Sequence, residues 1–189
     1  MADLSRLPSL IQAQDWAAAE RLLRRAAQAR RAPPEVFYNL GKVLAAAGKP
    51  HQSPPWFRKA VQARPDYAIA WFELGAAEMA EGRLRAAYAA FDRALALDPA
   101  DRDAQRTLAR LSLRLGDWEQ AARLWAPFAD TGADVEAAVA RYRIACETGD
   151  WPTATALLAK LRADSHTRLL ALQAMTRTGR GRLSLALPS

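Results

Sequence analysis

The feature that most constrains this chain is its period. Gly48, Gly82 and Gly116 are spaced by 34 residues, and Gly149 follows after 33. A column of large residues runs in the same register through Leu23, Phe57, Phe91, Trp125 and Leu158. A column of small ones runs through Ala19, Ser53, Ala87, Ala121 and Ala154. Leu40-Gly41, Leu74-Gly75 and Leu108-Ala109 repeat in phase, as do Pro65 and Pro99, and Trp16, Trp118 and Trp151. A chain repeating on this scale stacks identical supersecondary units, each burying its apolar face on the next.

Two helices of about 14 residues plus their turns fill one period. Glycine at the inner turn supplies the left-handed residue that ends the first helix. Asp15, Asp117 and Asp150 then stand where they can cap the second helix, with Gln120 three residues after Asp117. Pro99 ends a second helix. Pro54-Pro55 fall in the first turn of a shortened helix with Ser53 as its expected cap, since proline costs little there. Pro127 removes a hydrogen bond to the carbonyl of Arg123 and is expected to kink or end its helix. The expectation is an all-α, right-handed solenoid of about five antiparallel helix pairs, as one domain over residues 1–179. Its repeats lie at 1–33, 34–67, 68–101, 102–134 and 135–164; a partial unit or capping helix follows at 165–179, then a flexible tail at 180–189.

Composition narrows the function. The 189 residues carry 27 Lys and Arg against 20 Asp and Glu, a net charge of +7, which favours an acidic partner. No uncharged apolar run approaches the roughly 18 residues of a membrane span, and the start lacks a secretory pattern. A single cysteine, Cys146, fits a reducing cytoplasm. Abundant Ala and the preference for Arg over Lys point to a GC-rich bacterial genome. His51 and His166 have no metal-ligand spacing to another ligand. Phosphate-binding and nucleophile motifs are missing, and Asp98, Asp101 and Asp103 read as helix caps. The chain is expected to be non-catalytic and to need no cofactor or metal.

The columns resemble the tetratricopeptide repeat (TPR) pattern W-x2-L-G-x2-Y, G, A-x3-F-x2-A, P. Residues 71–99 match through Trp71, Leu74, Gly75, Gly82, Ala87, Phe91, Ala94 and Pro99, and residues 37–65 through Phe37, Leu40, Gly41, Gly48, Phe57, Ala60 and Pro65. Residues 105–128 and 138–161 are weaker copies, and 4–31 an incomplete first one. The resemblance implies that the first helix of each pair lines a concave groove. Its inward slots give an apolar N-terminal half at Tyr38, Ile69, Phe72 and Met79, with Lys42 beside it and Asn39 at a backbone-contact position. The C-terminal half is basic, at Arg106, Arg110, Arg114 and Arg143. Arg102, Arg106, Arg110 and Arg114 step by four and share one side of a helix, and arginine forks suit carboxylates. The competing expectation is that Glu73, Glu78 and Glu81 of the preceding repeat already pair with this stripe. The carboxylate clamp of some family members does not transfer, because its slots here hold Tyr38, Lys42, Glu73, Asp103 and Thr107, two of them acidic.

Three functional readings follow. The first is a scaffold binding a peptide or partner segment of acidic character in the groove. The second is the N-terminal regulatory or recruiting module of a larger enzyme, since similar arrays precede sulfotransferase or glycosyltransferase domains. The third and least favoured is nucleic-acid binding, because the arginines are interleaved with acids. No membrane partner is expected; self-association through the solenoid ends is an open expectation.

Overall fold

A computed structural model describes residues 4–128 and 134–163, together with Thr167, Leu169 and Gln173. The expected capping helix and tail, and His166, fall outside the described residues apart from those single positions. Among the described residues all regular structure is helical: α1 (Leu7–Gln12), α2 (Trp16–Ala27), α3 (Pro34–Ala46), α4 (Pro54–Ala63), α5 (Ala68–Ala80), α6 (Leu84–Leu97), α7 (Arg102–Leu115), α8 (Trp118–Trp125), α9 (Val135–Thr148) and α10 (Trp151–Ala163). Two compact units divide the chain, Met1–Gln105 and Arg106–Ser189, with the boundary inside α7.

In the first unit each of α1 to α5 packs on the next in sequence, and in the second α8 packs on α9 and α9 on α10. The inner turns are built as the period requires. Gly48, Gly82, Gly116 and Gly149 all have φ between 74° and 81°. The same slot in the first pair holds Gln14, at φ 53°, the only non-glycine with positive φ among the described residues. Asp15, Asp117 and Asp150 accept hydrogen bonds from the backbone N–H of Ala18, Gln120 and Thr153 and so cap α2, α8 and α10.

The aromatic column explains the Leu-Gly pairs. The ring of Phe57 on α4 lies so close to Gly41 on α3 that a Cβ there would stand 2.5 Å from it. Phe91 on α6 makes the same approach to Gly75 on α5, at 2.8 Å. Phe57 also packs with Ala70 and Leu74 of the following helix, so one ring joins its own pair to the next. The small column, from Ala19 to Ala154, and the large one, from Leu23 to Leu158, are buried throughout.

Two local expectations resolve differently. α4 begins at Pro54 as anticipated, but Ser53 does not cap it: its own backbone is helical, and its hydroxyl donates backward to the Pro50 carbonyl at 2.6 Å. The proline at the first position leaves one fewer free N–H to satisfy. Pro127 acts as expected, since α8 stops at Trp125 and a short 3-10 turn covers Ala126–Phe128.

Substituting Gly41 with Ala forces a methyl group into the Phe57 ring, and overpacking of this kind costs about 1–3 kcal/mol. Chemical denaturation of Gly41→Ala should show that loss, with Gly48→Ala losing stability through backbone strain instead. Gln14→Gly should move the other way, gaining up to about 1 kcal/mol by relieving a left-handed residue. An unchanged or lowered denaturation midpoint for Gln14→Gly would count against the shared turn geometry.

Candidate binding surfaces

Each groove residue anticipated from the sequence has a definite place. In the first unit, Tyr38, Asn39 and Lys42 lie on α3, and Ile69, Phe72 and Met79 on α5. Tyr38 is half-buried, its ring 5.4 Å from Tyr67 and 6.1 Å from Phe57. Burial, with Glu73 and Tyr67 nearby, pushes its hydroxyl up to about 12. Tyr38 is therefore anchored at the core edge and presents only part of its ring. Asn39 and Met79 are also half-buried, while Lys42 is exposed and donates to Glu73 at 2.5 Å.

Ile69 and Phe72 are different. Ile69 is 51% exposed, and Phe72 rests edge-on against Phe91 with ring centres 5.2 Å apart. Together they line a depression of about 390 Å³ whose other walls include Glu73, Asp98, Asp101 and Asp103. Asp101 also caps α7, accepting from the backbone N–H of Asp103 and Ala104. The apolar spot was anticipated; its acidic rim was not, because caps at the start of α7 and a turn residue at the end of α6 converge on it only in three dimensions.

In the second unit the arginine stripe is not bare. Arg106 donates to Asp134 at 2.5 Å and to Glu136 at 3.0 Å, and its guanidinium lies 4.3 Å above the Phe128 ring. Arg110 grips both oxygens of Glu136, at 2.5 and 2.7 Å. Both acids come from the start of α9, where Asp134 is also the helix cap, accepting from Ala137 N–H. This corrects the expected pairing with the preceding repeat. Glu73 takes Lys42, Glu78 is held between Arg58 and Arg83, and Glu81 also faces Arg83. Glu78 is buried on α5 and draws its two guanidiniums from α4 and the turn before α6.

Arg114 is exposed and makes no ion pair among the described residues. Arg143 stacks over Trp118 at 5.4 Å, with its Nε buried and unpartnered. Cys146 is buried in the core beside Tyr142, and burial pushes its thiol up. Nothing here suits it to nucleophilic chemistry. Among the described residues no group of His, Cys, Asp and Glu is arranged to hold a metal ion, and no helix is long and apolar enough to cross a membrane.

Paired helices with small-residue seams and a left-handed residue at each inner turn, glycine in all but the first, define a helical-repeat protein. Family models described as tetratricopeptide repeat match residues 4–68, 46–102 and 78–142. The chain belongs to the tetratricopeptide repeat family. Solved structures share the fold. YrrB, a TPR protein described as having an unusual peptide-binding site, is 18% identical, with a TM-score of 0.75, 90% of this chain covered and 88% of that one. MamA is 21% identical, with a TM-score of 0.69 over 98% and 96%. The first TPR domain of Spaghetti (RPAP3), bound to an HSP90 peptide, is 21% identical, with a TM-score of 0.54 over 59% and 88%. A comparison with curated proteins finds no match.

The arginine–acid cluster has a pH signature. Hydrogen bonds from Arg106 hold Asp134 below the usual carboxylate range, and those from Arg110 do the same for Glu136. A lowered folded-state value adds stability above the unfolded carboxylate pKa of about 4 and loses it as pH falls through the folded value. The double variant Asp134→Asn, Glu136→Gln keeps a capping side chain. Its thermal melts should lie below the parent's at pH 7 and converge with them near the acid end of the folded range. A gap independent of pH would show that the pairs are solvated and inert.

Proposed function

We propose that the protein is a non-catalytic scaffold that holds a segment of a partner polypeptide along the first helices of its repeats. The observation that carries this reading is Ile69, a large apolar side chain left half in solvent beside Phe72 in a concave depression. Aromatic and aliphatic anchors in such pockets dominate binding energy. Tyr38, Asn39, Lys42 and Met79 are assigned to the same groove by their repeat slots. The peptide site named for YrrB and the peptide held by the Spaghetti domain support the same use of the fold.

In the second unit, acidic residues of a partner meet Arg114 and Arg143 first. Arg106 and Arg110 are already engaged by Asp134 and Glu136, so a ligand carboxylate there has to displace an internal one. The lone buried thiol of Cys146 suits a reducing cytoplasm.

The test starts with affinity capture from the source cell and mapping of the retained peptide, followed by anisotropy titration of that peptide. Ile69→Asp lies on the surface and should leave the helical spectrum intact while weakening binding at least about 10-fold, a loss of roughly 1.4 kcal/mol. Equal affinity for the variant would remove the groove reading. Reversing Arg106 and Arg110 is a poor test by itself, because it sets two new acids against Asp134 and Glu136; pairing it with Glu136→Arg restores the contact.

A further inference from the structure

We infer that the α1–α2 pair carries a second site, built from Arg6, Arg21 and Arg25, that docks an acidic, apolar-interrupted polypeptide segment. Arg21 and Arg25 sit one turn apart on α2, and Arg6 stands at the N-cap of α1. The three line a depression of about 370 Å³ with Leu10, Ala18 and Leu22. That volume lies within the roughly 300–1,000 Å³ of ligand sites.

Among the described residues the charge of this depression is uncompensated, and no carboxylate lines it. Among the described residues none of the three guanidiniums makes an ion pair or a hydrogen bond. Their neighbours behave otherwise: Glu20 takes both Arg24 and Lys49, which leaves it no part in the depression. Arg106 and Arg110 on α7 are likewise neutralised from within. Like charges one helical turn apart are unfavourable. A ligand bearing carboxylates relieves that repulsion and gains two-point hydrogen bonds from each fork.

The lining selects among anions. Leu10, Ala18 and Leu22 line the same depression as the guanidiniums, so the ligand that fits it best combines acids with an apolar side chain. A bare phosphate leaves that surface wet, and a flat bilayer does not enter a concave pocket of this size. A segment of the Glu-Leu-Glu kind satisfies both parts.

The experiment is an anisotropy titration of the full chain with a labelled peptide of three Glu-Leu-Glu blocks at low salt. Binding is expected, falling as salt rises and weakening at least about 10-fold in Arg21→Glu, Arg25→Glu, equivalent to 1.4 kcal/mol. The same peptide with Gln for Glu should not bind. Ile69→Asp should leave this binding unchanged; loss with Ile69→Asp instead places the probe in the groove and overturns this site while leaving the groove reading standing. Absence of binding at about 1 mM peptide, a level where even weak sites register, overturns the site. So does affinity untouched by the double reversal, or preferential, arginine-dependent binding of phosphatidylserine vesicles or an oligonucleotide. Should the reversal unfold the chain by circular dichroism, Arg21→Gln, Arg25→Gln carries the same comparison.

Discussion

An aromatic ring resting on a bare α-carbon governs this architecture. With a Cβ at Gly41 or Gly75, the ring of Phe57 or Phe91 would have to move by a distance close-packed interiors do not give up cheaply. Glycine inside a helix costs roughly 0.5–1 kcal/mol against alanine. The contact offsets this by letting one ring bury against two helices at once. Phe57 reaches Gly41 on one side and Ala70 and Leu74 on the other, so helix spacing within a pair and between pairs is set together. In the fourth copy Ala109 and Trp125 take the two slots and both are fully buried, so the same seam is rebuilt with different volumes.

On this frame the charged residues divide into two kinds. Some tie one repeat to the next: Lys42 reaches Glu73, Arg106 and Arg110 reach Glu136, and Glu78 gathers Arg58 and Arg83. Exposed pairs of this type contribute little individually, about 0–1 kcal/mol. Their consequence is larger for recognition than for stability, because an arginine already holding two carboxylate oxygens offers a ligand little. On α7 the start of α9 takes up Arg106 and Arg110, while Arg114 makes no ion pair among the described residues.

Repetition made the fold legible. Turn glycines, capping aspartates and both core columns recur because every unit buries the same face, so one slot predicts the others. Gln14 escaped because its slot departs from glycine while keeping the glycine conformation, and only the spacing to Gly48 betrays it. The surfaces were less legible, because a side chain's partner depends on reach across helices. Arg106 had acids on either side along the sequence and chose Asp134, whose position at a helix start was the available signal. Tyr38 was assigned to the groove by slot, yet packing draws it to the core edge, while Cys146 is buried as its apolar character suggested. The Arg21–Arg25 spacing is visible in the sequence, but Arg6 joins the two only when α1 packs on α2.

Within the first unit the two open surfaces demand opposite chemistry. The Ile69–Phe72 depression is walled by four carboxylates, and the Arg6–Arg21–Arg25 depression by three guanidiniums. A ligand of uniform charge is favoured at one and repelled at the other, and misplaced charge costs more than a good rim contact gains. Both depressions include apolar side chains in their lining, so burial supplies attraction while the charged lining sorts ligands by sign. The net charge of +7 does not by itself say where an acidic partner docks: the excess describes the whole chain, whereas recognition depends on which charges remain unmatched at each apolar spot.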